Sequence, residues 1–272
     1  MPPPPNQGAS RSATAQAAAA RLTSPGWLLQ ALGLVLWPPR CGACALALAS
    51  RPAWGLCAAC IACLEPNDGQ RCRRCDQPVA EPTADSEACG DCRRRPPAFA
   101  RLRAPWLYLG GLAELLKTYK FFGRDDLGRP LAALIWQDAQ ARAQLRAASC
   151  LVAVPLGARR ARQRGYNQSA VLARQLARWA QVPIHYPLQR CHQGPPQAHL
   201  QVAQRHANMQ QAFVCRNIDM DCVVLIDDVV TSGETAHQAS LALRRGGATE
   251  VVVIAVARAS KSTQDLIPYE FS

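Results

Sequence analysis

Four cysteine pairs, each spelled C-x2-C, crowd into about fifty residues: Cys41/Cys44, Cys57/Cys60, Cys72/Cys75 and Cys89/Cys92, with gaps of 12, 11 and 13 residues between them. A C-x2-C pair fits a tight turn that aims two sulfurs at one ion, and two such turns complete a tetrahedral four-thiolate site. Two zinc ribbons in series are therefore expected, the first on Cys41, Cys44, Cys57 and Cys60, the second on Cys72, Cys75, Cys89 and Cys92. Closed four-thiolate sites are structural, so no catalysis is assigned to them. Repeated metal spacing argues against a disulfide framework and for a reducing, cytoplasmic setting. Cys63 extends Cys57 and Cys60 into C-x2-C-x2-C, the opening of an iron–sulfur run. That run needs a fourth cysteine three residues on, followed by proline, whereas the next cysteine is Cys72. Zinc is kept, and Cys63 is read as a packing residue.

At 272 residues the chain has room for one α/β core besides this module. Residues 1–25 are rich in Pro, Ala and Ser without apolar periodicity and are expected to form a disordered tail. The zinc module, with a leading helix, is assigned to residues 26–97 and the second domain to 98–272. The apolar run Trp27 to Trp37 is read as that helix; it is too short to span a membrane, which takes about 20 residues. Formal net charge is +12, and eight ligating thiolates with two Zn2+ lower it to about +8. Arginines cluster at Arg93, Arg94, Arg95, Arg101 and Arg103, and again at Arg159, Arg160, Arg162 and Arg164; their forks suit phosphates on a nucleotide or a strand.

After residue 100 helical and strand patterns alternate. Gly111 to Phe122, Leu127 to Leu145, Ser169 to Ala180 and Thr235 to Arg245 have helical spacing, the last closed by Gly246 and Gly247. Cys150 to Val154, Cys222 to Ile226 and Val251 to Val256 are apolar runs of strand length. Strands without polar alternation are buried on both faces, which predicts a parallel sheet covered by helices.

The stretch CVVLIDDVVTSGETA, Cys222 to Ala236, carries the functional signal. An apolar strand runs into two acids, and a Thr/Ser/Gly loop then opens a helix, a junction where backbone N–H groups and the helix dipole favour a phosphate. Asp227 and Asp228 are placed to accept hydrogen bonds from vicinal sugar hydroxyls. A Walker B reading of the two acids lacks its partner G-x-x-x-x-G-K-[ST].

This stretch resembles the 5-phosphoribosyl pyrophosphate motif of type I phosphoribosyltransferases. The resemblance implies that Asp227 and Asp228 take the ribose hydroxyls and that Thr231, Ser232, Gly233, Glu234 and Thr235 wrap the 5′-phosphate. The serial C-x2-C module, LKTYKFFGRDDLG from Leu116, VAVPLGARRARQRGYNQS from Val152 and PPQAHLQVAQRHANMQQAF from Pro195 extend the likeness to the competence protein F (ComF) family over nearly all of residues 27–259. In that family the first segment reads closer to LKFRGD, with Lys120, Phe121 and Gly123 as equivalents, and a histidine usually stands where this chain has Gly157. The resemblance implies a type I phosphoribosyltransferase core, a Rossmann-like parallel sheet, that binds 5-phosphoribosyl pyrophosphate with Mg2+. Arg159 and Arg164 are assigned to charge contacts with it. A glycosyltransferase of the phosphoribosyltransferase type is expected, acting in uptake or processing of transforming DNA, with a competence helicase and a recombination loader as implied partners.

No part of the zinc module spells out a purine, pyrimidine or amine acceptor. The alternative is a non-catalytic competence factor that keeps the sugar-phosphate pocket and binds single-stranded DNA and proteins through arginines and ribbons. The module has few aromatics, chiefly Trp54, which argues against an extensive base-stacking platform there.

Overall fold

The computed structural model describes residues 38–48, 55–79, 88–191 and 212–260. The expected tail, the leading helix at Trp27 to Trp37 and nearly all of the segment from Pro195 lie outside them. The described secondary structure begins with two short helices, α1 (Ala58–Ala62) and α2 (Gly90–Arg94), in the cysteine module. The core follows with strands β1 (Arg101–Arg103) and β2 (Trp106–Leu107), helices α3 (Gly110–Phe121), α4 (Gly128–Gln137) and α5 (Ala139–Ala147), and strand β3 (Cys150–Ala153). Helices α6 (Ala158–Arg164) and α7 (Gln168–Ala180) come next, then β4 (Ile184–His185), β5 (Leu188–Arg190), β6 (Phe213–Cys215), β7 (Cys222–Val230), α8 (Glu234–Arg245) and β8 (Glu250–Arg258).

The main sheet runs β1-β8-β7-β3-β4, with β2 also on β8, and every pairing in it is parallel. The β-branched runs explain this: Val224, Ile226, Val252 and Ile254 enter the core on one face, while Val223, Leu225, Val251 and Val253 enter it on the other. A sheet buried on both faces needs helices on both, and α4 and α7 cover the first face while α8 covers the second. Strands β5 and β6 form a separate antiparallel pair.

Two elements differ from the periodicity. The helix expected over Leu127 to Leu145 breaks at Asp138, whose ψ of 119° is extended. Its carboxylate accepts from the Ala141 N–H at 2.7 Å, capping α5, and from Arg103 Nη2 at 2.6 Å, so capping and an ion pair outweigh the apolar spacing. Strand β7 outlasts its apolar run and continues through both acids to Val230, because its backbone stays paired with β8 as far as the Val230–Arg258 register.

Chain direction around β3 and β7 fixes where a ligand can sit. From β3 the chain proceeds through α7 to β4 on one side; from β7 it proceeds through α8 to β8 on the other. The carboxyl ends of β3 and β7 therefore flank a topological switch point, where open parallel sheets form their crevice. Ala153, the last residue of β3, pairs with Ile226, so Asp227 and Asp228 stand just past the end of the neighbouring strand. Among the described residues no helix is long and apolar enough to cross a membrane.

Candidate phosphate-binding crevice and zinc ribbons

Each cysteine quartet comes together, with its four sulfurs within 4.8 Å of one another. The two sites are built alike. The first pair of each lies on a turn in which the N–H after its second cysteine returns to the first cysteine's carbonyl, Ala45 to Cys41 and Asp76 to Cys72, both at 2.9 Å. Ala45 and Asp76 take positive φ of 59° and 57° to close these turns. The second pair of each opens a short helix, Cys57 capping α1 and Cys89 capping α2. Backbone N–H groups point at the sulfurs: Cys57 N donates to Cys41 Sγ at 3.3 Å and Cys89 N to Cys72 Sγ at 3.2 Å. The Cys44–Cys57 and Cys75–Cys89 sulfur separations are 3.9 and 3.8 Å. A tetrahedron with Zn–S bonds of about 2.3 Å has edges of about 3.8 Å, so the donor sets fit two structural zinc ions. Within the second quartet, hydrogen bonds from the Cys75 and Cys92 thiols draw Cys72 down, while hydrogen bonds to Cys72 and Cys75 push Cys92 up. Cys63 stands outside both quartets and is exposed at the C-terminal end of α1, not packed as expected.

The ribbons dock on different parts of the core. Cys41, Leu56 and Leu64 of the first join the cluster that holds α4 and α7, and Gly55, with φ of 71°, lies where a Cβ would meet Pro130 at 2.7 Å. The second is held by Asp76, which is 3% exposed, accepts from the Ala104 N–H at 2.7 Å, and pairs with Arg71 at 2.9 Å and Arg103 at 3.1 Å. Arg103 is thus committed to a buried network with Asp76 and Asp138 and presents no fork to a phosphate, a correction to its place in the arginine cluster.

The crevice at the switch point is lined by Asp227, Asp228 and the loop that follows β7, opposite Val154, Pro155 and Leu156 after β3. Lys120, from the end of α3, reaches its floor and places Nζ 3.0 Å from Asp228 Oδ1. Ser169, at the start of α7, donates its hydroxyl to Asp227 Oδ1 at 3.0 Å. Asn167 caps that helix by accepting from the Ala170 N–H at 3.2 Å and donates to the Val154 carbonyl at 3.0 Å, tying α7 to the loop after β3. Burial, then the charge of Asp228, pushes the Asp227 carboxyl up to about 7, with Lys120, the Asp228 N–H and Ser169 acting the other way.

Gly233, at φ of 84°, turns the chain from β7 into α8, a conformation that a side chain would strain. Ser232 Oγ accepts from the Glu234 N–H at 3.3 Å. Thr231, Ser232, Gly233 and Thr235 line the crevice, whereas Glu234 turns aside to accept from Gln238 at 2.8 Å and to face Arg95 at 3.7 Å. Arg164 lines the crevice with its guanidinium 4.9 Å over the Phe121 ring; Arg159 is exposed on α6 and lies outside the lining. Arg160 and Arg190 line it as well. At Gly157 a Cβ would stand 3.7 Å from Arg190 Cδ, an ordinary contact. Ser169 and Arg190 carried no separate signal in the sequence, since only folding brings them to the acids.

A parallel sheet with a crevice at its switch point lined by two aspartates, hydroxyls and arginines, joined to two four-cysteine sites, defines an α/β protein with a cysteine-rich metal-binding module. The family model described as "Double zinc ribbon domain" matches residues 32–93. The DNA utilization protein YhgH of Salmonella typhimurium is 33% identical over 221 residues, covering 78% of this chain and 94% of that protein. Competence protein F of Haemophilus influenzae is 32% identical over 182 residues, covering 64% of this chain and 80% of that protein. The chain belongs to the family of these proteins, the ComF/YhgH family. Among solved structures, orotate phosphoribosyltransferase from Aeropyrum pernix aligns with a TM-score of 0.31 and 17% identity, over 54% of this chain and 69% of that one.

Proposed function

We propose that the crevice binds 5-phosphoribosyl pyrophosphate, and that the protein acts in DNA utilization or competence, as its relatives' names say of them. The observation that carries this is the buried pair Asp227 and Asp228, partnered by Ser169 and Lys120, directly before a hydroxyl-rich turn at a helix start. Vicinal hydroxyls are donors, and two carboxylates side by side are acceptors for them. The Thr231 to Thr235 turn supplies N–H and hydroxyl donors for a phosphate at the positive end of α8. Arg160, Arg164 and Arg190 line the same crevice and suit the pyrophosphate. Mg2+ bound with the pyrophosphate would neutralise charge on the leaving group.

Transfer from such a donor builds positive charge at C1′ as pyrophosphate departs. This chain's part is then to hold the ribose by its hydroxyls and to stabilise the departing charge with arginines. Pyrophosphate release from the donor, measured alone and with nucleobases or single-stranded DNA, tests turnover. Release supports a transferase; binding without release supports a protein that uses the pocket to sense or hold its ligand.

A further inference from the structure

Three ties join the second ribbon and the residues that follow it to the turn between β7 and α8 and to the start of α8. Arg258, the last residue of β8 and 3% exposed, donates Nε to the Cys75 carbonyl at 3.0 Å, and Nη1 to the Val230 carbonyl at 2.9 Å and to the Thr231 carbonyl. Arg95, just after the ligand Cys92, faces Glu234 at 3.7 Å, and the Ala98 N–H donates to His237 Nδ1 at 3.0 Å. One cavity is walled by Cys75, Cys89 and Cys92 on the ribbon side and by Ser232, Gly233 and Glu234 on the other. The first ribbon instead packs beside Leu127 and Pro130, at the other face of the sheet.

We infer that Arg258 is a positioning residue that couples the second four-cysteine site to the phosphate loop, so that zinc in that site and an anion on the loop favour each other's binding. The Thr231 carbonyl and the Ser232 N–H belong to one trans peptide plane and point in opposite directions, so anchoring the carbonyl sets the direction of that N–H. The anchor itself is held by Cys75, whose own position depends on the metal. A loop fixed before the ligand arrives loses less freedom on binding it. Linkage then requires the reverse effect: a ligand on the loop must hold zinc in the second site more firmly. The identity of the anion rests on the sugar-pyrophosphate reading; the coupling does not.

The test uses the full zinc-loaded chain and the variants Arg258→Met and Arg258→Lys. Zinc partition to a chromogenic chelator is measured with and without Mg2+ and 5-phosphoribosyl pyrophosphate, alongside hydrogen exchange of the peptide spanning residues 231–235. In the wild type, ligand should raise the apparent zinc affinity of one of the two sites, read from competition with the chelator at equilibrium, by about fivefold or more. Arg258→Met should abolish that gain while keeping both zinc ions, and Arg258→Lys should recover part of it. Stripping zinc should speed exchange at 231–235 in the wild type but not in Arg258→Met, where exchange is already fast. A gain that persists in Arg258→Met, or exchange at 231–235 that ignores zinc in the wild type, overturns the coupling. Should Arg258→Met fail to fold, Arg258→Lys carries the same comparison. If the wild type binds no 5-phosphoribosyl pyrophosphate, the ligand reading fails, and the exchange data alone decide the coupling.

Discussion

Lys120 Nζ and Asp228 Oδ1 lie 3.0 Å apart with side chains only 5% and 9% exposed, one from the end of α3 and the other from the central strand β7. An ammonium taken this far out of water needs its carboxylate, and the carboxylate needs it. Removing one partner of such a pair costs about 3 to 5 kcal/mol, because the other charge is left uncompensated. Lys120→Met should therefore lower stability by about that amount in denaturant titrations. Adding Asp228→Asn should restore part of it, a double-mutant signature that independent surface charges would not give.

Asp227 gives the crevice a pH dependence. Its carboxyl ionises near 3.8 in an unfolded chain and near 7 in the fold. Below the lower value it is neutral in both states, so between them folding takes up a proton and this group's contribution to stability falls as pH rises. Ribose hydroxyls favour the ionised form, so ligand binding near pH 7 should release protons. Titration calorimetry in PIPES and in Tris should give different apparent heats, and Asp227→Asn should remove the difference. Identical heats in the wild type would contradict it.

Metal content is the third expectation. Native protein should carry two zinc ions per chain by elemental analysis, and Cys89→Ser should lose one of them. Structural zinc supplies about 10 to 16 kcal/mol of apparent binding free energy in small ribbons, so the second ribbon should unfold in that variant. The parallel sheet, with its own apolar clusters on both faces, should keep its cooperative melting transition.

The sequence was most informative where the chemistry is local. The cysteine spacing defines both quartets because each knuckle is closed within six residues, and the apolar runs of β3, β7 and β8 are legible because both faces of each strand are buried. The acids and the Gly233 turn are adjacent in the chain and could be read as one motif. What escaped was set by distant partners. Ser169 is an ordinary helix residue until α7 places it on Asp227, and Arg258 looks like a charge closing a strand, although it reaches Cys75 far back in the chain. Arg103 sat in a basic cluster yet serves a buried network, because composition cannot tell an arginine facing solvent from one facing two aspartates.

Arg93 and Arg94 are exposed at the end of α2, where Arg94 pairs with its neighbour Asp91 at 2.6 Å. If they contact a single strand, DNA affinity should fall steeply with salt and show little sequence preference. Replacing both with alanine should then reduce the slope of log affinity against log salt by about 1.4, from about 0.7 per phosphate contact. An unchanged slope would make them a solvated surface.

The most direct measurement is calorimetric titration of 5-phosphoribosyl pyrophosphate with Mg2+ into the wild type, the Asp227→Ala, Asp228→Ala double variant, and Asp228→Asn. Each carboxylate hydrogen bond to a sugar hydroxyl is worth about 1.5 to 3 kcal/mol, and about 1.4 kcal/mol is tenfold in affinity. The account predicts saturable binding by the wild type, at least about tenfold weaker binding by the double variant, and nearly as great a loss for Asp228→Asn, which keeps the shape but not the anionic acceptor. No binding by the wild type, or equal affinity in all three proteins, would contradict it.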